Sequence, residues 1–343
     1  MTTAVGARSR TWKPLIRAAV SAAILVGVAR KIDWSHVAES FASLRWQGWL
    51  AAVGVYVAAQ VLSSVRWQWL SQPLGFHRPL RAYVADYFVG MFFNLLLPTS
   101  IGGDAVRAIA LNAGSGRKMP ALVSVLLDRL SGLLMLLALA CGAAAFTSAT
   151  LPGWMLLTIG TCAAAGVLGL ASLPVVIRLL SRLEGQRSSA ARLRRFAELL
   201  RASLAHFSCR PGLVIAAAAL SLAIQISGVV QVALIGWALG LDVPATVYGV
   251  AAPMVALLTL APVSVSGMGV REAGMVVFLQ PAGVDAGRAA TLAFLWFCSQ
   301  LAAGLAGGAV YLLRWSRGGE VRDDDALGDH PDQGRTRQHR PAA

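Results

Sequence analysis

Charged residues, above all acidic ones, are scarce in this chain. It has 343 residues, of which 13% are charged, whereas a soluble domain usually carries about 25%. Aspartate and glutamate number 16 against 30 lysines and arginines, and the only lysines are Lys13, Lys31 and Lys118. With 57% hydrophobic residues, this composition excludes an ordinary soluble domain and predicts an all-α polytopic membrane protein.

Cysteine and histidine are also few. The four cysteines are scattered, mostly within apolar runs: Cys141, Cys162, Cys209 and Cys298. This distribution predicts neither a disulfide framework nor a zinc site. Motifs of the HExxH type, histidine clusters and Ser/His/Asp sets are absent from the sequence. We therefore expect no metal, no cofactor and no enzyme activity.

The net charge of +14 is compatible in principle with a nucleic-acid partner. The arginines, however, lie in short loops beside apolar segments, which is typical of positive-inside topology. We expect no nucleic-acid partner, a retained first helix, and a multi-pass protein of the bacterial inner membrane with both termini in the cytoplasm.

The apolar runs predict six full spans and two broken stretches. The spans lie near residues 15–29, 47–65, 120–146, 154–180, 213–239 and 289–313, and the broken stretches cover residues 83–111 and 247–279. We expect a cytoplasmic segment at 1–14, a first membrane repeat at 15–146, a second at 147–313 with a basic cytoplasmic loop at 181–210, and a disordered cytoplasmic tail at 314–343.

The two broken stretches contain similar sequences at matching positions. The first reads Pro98-Thr-Ser-Ile-Gly-Gly-Asp-Ala-Val-Arg107 and the second Pro262-Val-Ser-Val-Ser-Gly-Met-Gly-Val-Arg271. The residues that break the helices in these stretches are Pro98, Gly102, Gly103, Pro262, Gly267 and Gly269. Paired breaks of this kind indicate an inverted repeat with a binding site between its halves.

The placement of arginine predicts that both broken stretches are re-entrant hairpins. Basic residues flank the first stretch on both sides, and poorly charged loops flank the second. Each stretch would therefore enter and leave on one face, the first from inside and the second from outside. The alternative is that both stretches cross fully, which gives eight spans and places the basic loop outside.

Arg107 and Arg271 follow the breaks, where a half-helix restarts with free N–H groups and a positive dipole end. We expect these arginines to meet near the midplane and to bind a phosphate-bearing head group. Pairing of Arg107 with Asp104 on one helix face is the structural alternative. The full set of expected substrate-binding residues is Arg107, Arg271, Asp104, Asp128, Arg129, Glu272, Asn94, Ser100 and Ser264.

Several of these residues have a structural alternative. Asp128 is expected to neutralise Arg107 or Arg271, or to bind a cationic part of the substrate. Glu272 either joins the site or pairs with Arg129 as a brace, and Asn94 either joins the site or bonds freed backbone. Asp86 is expected to be solvated or to cap a helix. An interfacial belt is predicted for Trp46, Trp49, Trp67, Trp69, Trp154 and Trp315.

Three motifs together resemble a known family. Asn94-Leu-Leu-Leu-Pro-Thr-Ser-Ile-Gly-Gly-Asp-Ala-Val-Arg107, Leu127-Asp-Arg-Leu130 and Gly267-Met-Gly-Val-Arg-Glu272 are similar to the lysylphosphatidylglycerol synthase transmembrane-region family, also called the flippase-like domain. The resemblance spans roughly residues 15–313. It implies a membrane domain that moves a phospholipid, often an aminoacylated one, between leaflets. It also implies functional positions for Asp104, Arg107, Asp128, Arg129, Arg271 and Glu272.

The sequence departs from that family in two ways. Where many relatives carry Glu-Arg, this chain has Asp128-Arg129, so the carboxylate has a shorter reach. Only a short polar tail follows residue 313, whereas the full-length synthases continue into a soluble catalytic domain, and we therefore expect no aminoacyl transfer.

The leading hypothesis is a translocator of an anionic or aminoacylated phospholipid or related lipid-linked head group. The alternatives are a membrane enzyme or accessory subunit acting on a polyprenyl phosphate, and a scaffold whose basic segment at 181–210 docks anionic lipid or a partner through an amphipathic face.

Overall fold

The computed structural model describes residues 42–96, 102–147, 152–182, 188–260 and 267–316. Within these ranges the regular structure is entirely helical, with ten α-helices and two short 3₁₀ turns. The first half contains α1 (Trp46–Ser71), α2 (Leu80–Leu96), α3 (Gly102–Asn112) and α4 (Lys118–Thr147). The second half contains α5 (Gly153–Ser181), α6 (Ser188–Ser208), α7 (Pro211–Ala238), α8 (Ala245–Leu260), α9 (Val270–Leu279) and α10 (Ala286–Ser316).

Among the described residues, five helices are long and apolar enough to cross a membrane, namely α1, α4, α5, α7 and α10. They correspond to five of the six predicted spans, and the sixth, at residues 15–29, lies outside the described residues. Local sequence explains several of their ends. Pro211 occupies the first turn of α7, where a missing N–H costs nothing, and Gly240 follows that helix with a φ of 68°, which favours glycine.

Contacts between loops define two ends of the helix bundle. Arg117 Nη1 donates to the Gly75 carbonyl at 3.2 Å, and Arg78 Nη1 donates to the Ala110 carbonyl at 3.1 Å. The start of α2 and the finish of α3 therefore lie together, beside the start of α4. We call this the basic end, because the half-buried Arg78, the exposed Arg117 and further arginines occupy it.

At the opposite end lie the starts of α1 and α5 and the finishes of α7 and α9. The Arg45 amide, just before α1, donates to the Ala238 carbonyl at the finish of α7 at 3.0 Å. The ring of Trp154 at the start of α5 lies 5.7 Å from the ring of Phe278 near the finish of α9. The largest buried apolar cluster is at this end and includes Met155, Ile235, Tyr248, Met275 and Leu292.

The helix pairs repeat between the two halves. Helix α1 packs along α7, α2 packs on α10, and α8 packs on α4. The two helices of each broken stretch also pack on each other, α2 on α3 and α8 on α9. The first arm of each broken stretch therefore packs against the last span of the other half.

Three local predictions are corrected. The segment at 181–210, predicted as a loop, contains helix α6, because its apolar residues recur with helical spacing and pack on the bundle. Trp67, predicted at the membrane interface, is fully buried. Asp86, predicted to be solvated or to cap a helix, is 2% exposed and accepts from Arg78 Nη1 at 2.8 Å and from Arg314 Nη1 at 2.7 Å.

Candidate functional site: an arginine–carboxylate network

The centre of the candidate site is one buried carboxylate. Asp128, on α4, is 1% exposed. Its Oδ1 accepts from Nε of Arg66, on α1, at 2.9 Å, and lies 2.9 Å from Nη2 of the same guanidinium. Its Oδ2 accepts from Nη2 of Arg107, on α3, at 2.8 Å. Buried charges are stable only when paired and hydrogen-bonded, so this arrangement holds α1, α3 and α4 together. The prediction that Asp128 neutralises Arg107 agrees with these contacts.

Arg107 is enclosed on its other sides by aromatic rings. Its guanidinium carbon lies 4.2 Å from the ring centre of Trp67 and 4.2 Å from that of Tyr87, a distance at which cation–π attraction acts. A Cβ at Gly90 would lie 2.7 Å from Arg107 Cγ, so the glycine makes room for the side chain. With 3% exposure, Arg107 is a packed, paired group rather than an open one.

A second ion pair lies at the accessible side of the network. Arg129 donates from Nε to Asp104 Oδ2 at 2.8 Å and from Nη2 to Asp104 Oδ1 at 2.9 Å. Asp104 also accepts from Arg107 Nη1 at 3.4 Å, so the helix-face pair that formed the structural alternative is present as a longer contact. The side chain of Arg129 is 45% exposed and that of Asp104 is 15% exposed.

The position of Arg129 along α4 bears on whether its exposed side chain faces lipid or water. Arg129 lies eleven residues after the start of the 30-residue helix α4, or about 17 Å along that helix, a depth that lies within the hydrocarbon core for a spanning helix of this length. Nearly half of its side chain is nonetheless open. Because a guanidinium at this depth is not stable in hydrocarbon, the exposure of Arg129 and Asp104 favours a water-accessible cleft beside this ion pair.

Two residues hold the tip of the first broken stretch. The Gly103 amide donates to Asn94 Oδ1 at 2.7 Å, which agrees with the alternative that Asn94 bonds freed backbone. A Cβ at Gly103 would lie 2.0 Å from the Gly90 carbonyl oxygen, so α2 and α3 approach closely only because both positions are glycine. Gly102 begins α3, and Pro98 and Ser100 lie outside the described residues.

The second broken stretch orients Arg271 differently. Arg271 is 4% exposed, and its Nη2 donates to Gln300 Oε1 on α10 at 3.0 Å. Its guanidinium carbon lies 5.4 Å from the Trp296 ring and 5.5 Å from the Phe297 ring. The two arginines thus have different partners, and the expected direct meeting of Arg107 with Arg271 is not among these contacts.

Glu272 and two glycines shape the start of α9. The Gly269 amide donates to Glu272 Oε2 at 2.6 Å, which caps the helix. Gly267 and Gly269 have φ of 75° and 83°, a region that favours glycine. Since Arg129 pairs with Asp104, the predicted alternative of an Arg129–Glu272 brace is corrected. Pro262 and Ser264 lie outside the described residues.

Tyr56 lies near charged residues from both halves of the site. It is a half-buried residue of α1, within electrostatic range of Arg129, Arg271 and Tyr87.

Sequence reasoning missed three contributors to this site. Arg66 also donates from Nη1 to Ser221 Oγ on α7 at 3.0 Å, and Gln300 and Tyr56 were likewise not singled out. The predicted span ended at residue 65, one position before Arg66, whereas α1 continues to Ser71. The apolar residues Trp67, Trp69 and Leu70 after Arg66 were the available signal that the arginine lies within the helix.

The described residues contain no group of three or more histidine, cysteine, aspartate or glutamate side chains arranged to hold a metal ion. The polar chemistry of the site is therefore that of guanidinium, carboxylate, hydroxyl and amide groups.

Long apolar helices around a buried arginine–carboxylate network define a multi-pass integral membrane protein. The chain matches the family model described as the lysylphosphatidylglycerol synthase TM region over residues 15–308, and it belongs to that family. None of the curated proteins and none of the solved structures matches it.

Proposed function

We propose that the protein translocates a phospholipid, or a related lipid-linked molecule, with an anionic or aminoacylated head group between the leaflets of the bacterial inner membrane. The observation that carries this proposal is the accessible Asp104–Arg129 pair at bilayer depth. An open ion pair within a membrane domain is costly unless it serves a substrate pathway. The head group would occupy the cleft while the acyl chains remain in lipid.

The charge balance of the network favours an anion. Arg66, Arg107 and Arg129 supply three guanidinium groups against the carboxylates of Asp104 and Asp128, which leaves one formal positive charge. A phosphate near Arg129 would neutralise that charge. The planar guanidinium presents paired donors that suit phosphate oxygens.

The arginines have different roles in this mechanism. Arg129 is the group that contacts the head group, because it is the accessible one. Arg66, Arg107 and Asp128 are positioning residues, because each is almost fully buried and their charges pair with one another. Asp104 holds Arg129 in place until the phosphate arrives, and then offers its carboxylate to an ammonium group of an aminoacylated head group.

Alternating access would follow from an inverted repeat of span, span, re-entrant hairpin and span. The packing of α2 on α10 and of α8 on α4 supports this arrangement, since each hairpin arm meets the last span of the other half. The start of α2 and the finish of α3 lie together at the basic end. This supports a first hairpin that enters and leaves the membrane at that end. By the positive-inside rule the basic end faces the cytoplasm, with both chain termini on that side.

The test is transbilayer movement of fluorescent phosphatidylglycerol in proteoliposomes. Arg129→Gln should abolish most of the movement while the helical content and thermal unfolding stay near those of the unsubstituted protein. Arg288→Gln is the matched control, because Arg288 is 48% exposed at the opposite end and far from the cleft. Full transport by Arg129→Gln, or recovery of a chemically altered lipid from the vesicles, would contradict the proposal.

A further inference from the structure

Helix α6 is an amphipathic helix that lies across the ends of four spans. Its buried face includes Ala197, Leu200 and Phe207, which pack in one cluster with apolar residues of the bundle. The partners in that cluster come from four different helices: Leu70 of α1, Leu127 of α4, Ile177 of α5 and Ala217 of α7. The helix is thus a fixed part of the basic end and not a loose connection.

The outer face of α6 is strongly basic. Arg194, Arg195 and Arg201 are exposed on it, and the acidic residue among them is Glu198, which is 58% exposed. The Arg194–Glu198 contact is 3.5 Å long and open to solvent, so it weakly offsets the positive charge. Further exposed arginines flank the helix at Arg178, Arg182 and Arg210.

The depth of α6 in the membrane follows from its contacts with α5. Helix α5 has 29 residues, a length of about 43 Å, which matches the full thickness of a bilayer including its head groups. Ile177, which packs against α6, lies four residues before the end of α5, or about 6 Å from it. The arginines of α6 therefore lie at the level of the phospholipid head groups.

We infer that the outer face of α6 is a docking surface for the anionic phospholipids of the leaflet at the basic end. An arginine-rich face at head-group depth attracts phosphate groups, and each arginine near an anionic surface strengthens the attraction about fivefold. The leaflet surrounds the helix at all times, whereas a soluble polyanion would have to reach the same surface from water. The surface is separate from the cleft that holds Arg129, and the inference does not depend on transport.

The inference is tested by native mass spectrometry of the detergent-solubilised full chain with an equimolar mixture of phosphatidylglycerol and phosphatidylcholine. The unsubstituted protein should retain more phosphatidylglycerol than phosphatidylcholine. The triple variant Arg194→Gln/Arg195→Gln/Arg201→Gln should lose most of that preference, at about fivefold for each arginine removed. Raising the salt concentration should reduce the preference of the unsubstituted protein as well, because salt screens exposed charges.

Three control variants distinguish lipid binding at α6 from binding in the cleft and from a general loss of positive charge. The triple lysine variant, Arg194→Lys/Arg195→Lys/Arg201→Lys, keeps the charge and should retain the preference. Arg288→Gln, at the opposite end, should also retain the preference for phosphatidylglycerol. Arg129→Gln should retain the phosphatidylglycerol that is bound at α6, even if the variant no longer transports lipid. An unchanged phosphatidylglycerol preference in the triple glutamine variant would overturn the inference, as would equal losses in the glutamine and lysine variants.

Discussion

Arg66 and Asp128 are 62 positions apart and form a buried ion pair: Arg66 Nε donates to Asp128 Oδ1 at 2.9 Å, and Arg66 Nη2 lies 2.9 Å from the same oxygen. Their side chains are 5% and 2% exposed. Because the same carboxylate also accepts from Arg107, Asp128 is the shared partner of two buried cations. The stability of this part of the bundle should therefore depend on Asp128 more than on any exposed carboxylate.

Replacing Asp128 with asparagine should destabilise the protein strongly. The substitution leaves the buried Arg66 without a counter-charge and leaves Arg107 with only its longer contact to Asp104. Removing one partner of a buried pair costs about 3–5 kcal/mol. The measurement is unfolding of the purified protein in detergent. Asp285→Asn is the control, because its contact with Arg288 is 3.5 Å long and exposed, and it should cost less than about 1 kcal/mol. Similar losses in the two variants would show that the Asp128 network is not a structural core.

Arg107 and Arg129 should respond differently to conservative replacement. Arg107→Lys loses the planar group that lies between Trp67 and Tyr87, so thermal stability should fall. Arg129→Lys keeps a charge in the cleft and touches few buried groups, so stability should hold while transport of phosphatidylglycerol weakens. Comparing melting temperature with transport rate for both variants separates positioning from ligand contact. Equal melting temperatures of Arg107→Lys and Arg129→Lys would contradict the assignment of Arg107 as a positioning residue and Arg129 as the residue that contacts the ligand.

Gly103→Ala should disrupt the tip of the first broken stretch. The new Cβ would lie 2.0 Å from the Gly90 carbonyl oxygen, and the helices must separate to admit it, at a cost of roughly 1–3 kcal/mol or more. Gly142→Ala on α4 is the matched control, since open space surrounds that position, and alanine there should be neutral or slightly stabilising. Thermal unfolding of both variants checks the expectation, which a neutral Gly103→Ala would contradict.

Asp86→Asn should loosen the last turns of α10. Asp86 accepts from both Arg78 and Arg314, and thereby joins the start of α2 to the finish of α10 at the basic end. Hydrogen exchange of the backbone near Arg314 should become faster in the variant. Glu198→Gln, which removes an exposed contact of 3.5 Å, should leave that exchange unchanged. Protection near Arg314 that survives Asp86→Asn would mean that packing alone holds the helix end.

The topology can be tested by labelling cysteines introduced on exposed loops. A cysteine at Ser115 and the native Cys209 both lie at the basic end, whereas a cysteine at Asp242 lies at the opposite end. An impermeant thiol reagent should reach the first two from one side of the membrane and the third from the other side. If each broken stretch crossed fully instead, labelling at Ser115 and Cys209 would place the basic end outside the cell.

Much of the helical framework could be predicted, because apolar runs of sufficient length have few alternatives in a membrane. Five of the predicted spans correspond to long helices, and both breaks separate helices that pack on each other. The helical state of residues 188–208 was harder to predict, since its apolar face is short and interrupted by arginines, and its stability comes from packing on four neighbouring helices.

The site was predicted in part. Asp104, Arg107, Asp128 and Arg129 were identified because charges within apolar sequence are rare and conspicuous. Arg66 was missed because it lies near the end of an apolar run, where an arginine usually extends to the interface. Only the packing of α1 on the other helices buries it.

Composition and hydrophobic length by themselves determined that this chain is a helical membrane protein with two interrupted segments, because the bilayer penalises unpaired backbone and unpaired charge wherever they occur along the sequence. Which arginine is enclosed and which is open to the cleft was decided only by the tertiary structure. That choice depends on distances among α1, α3 and α4, and such distances are set by side-chain packing between segments that are far apart in the chain.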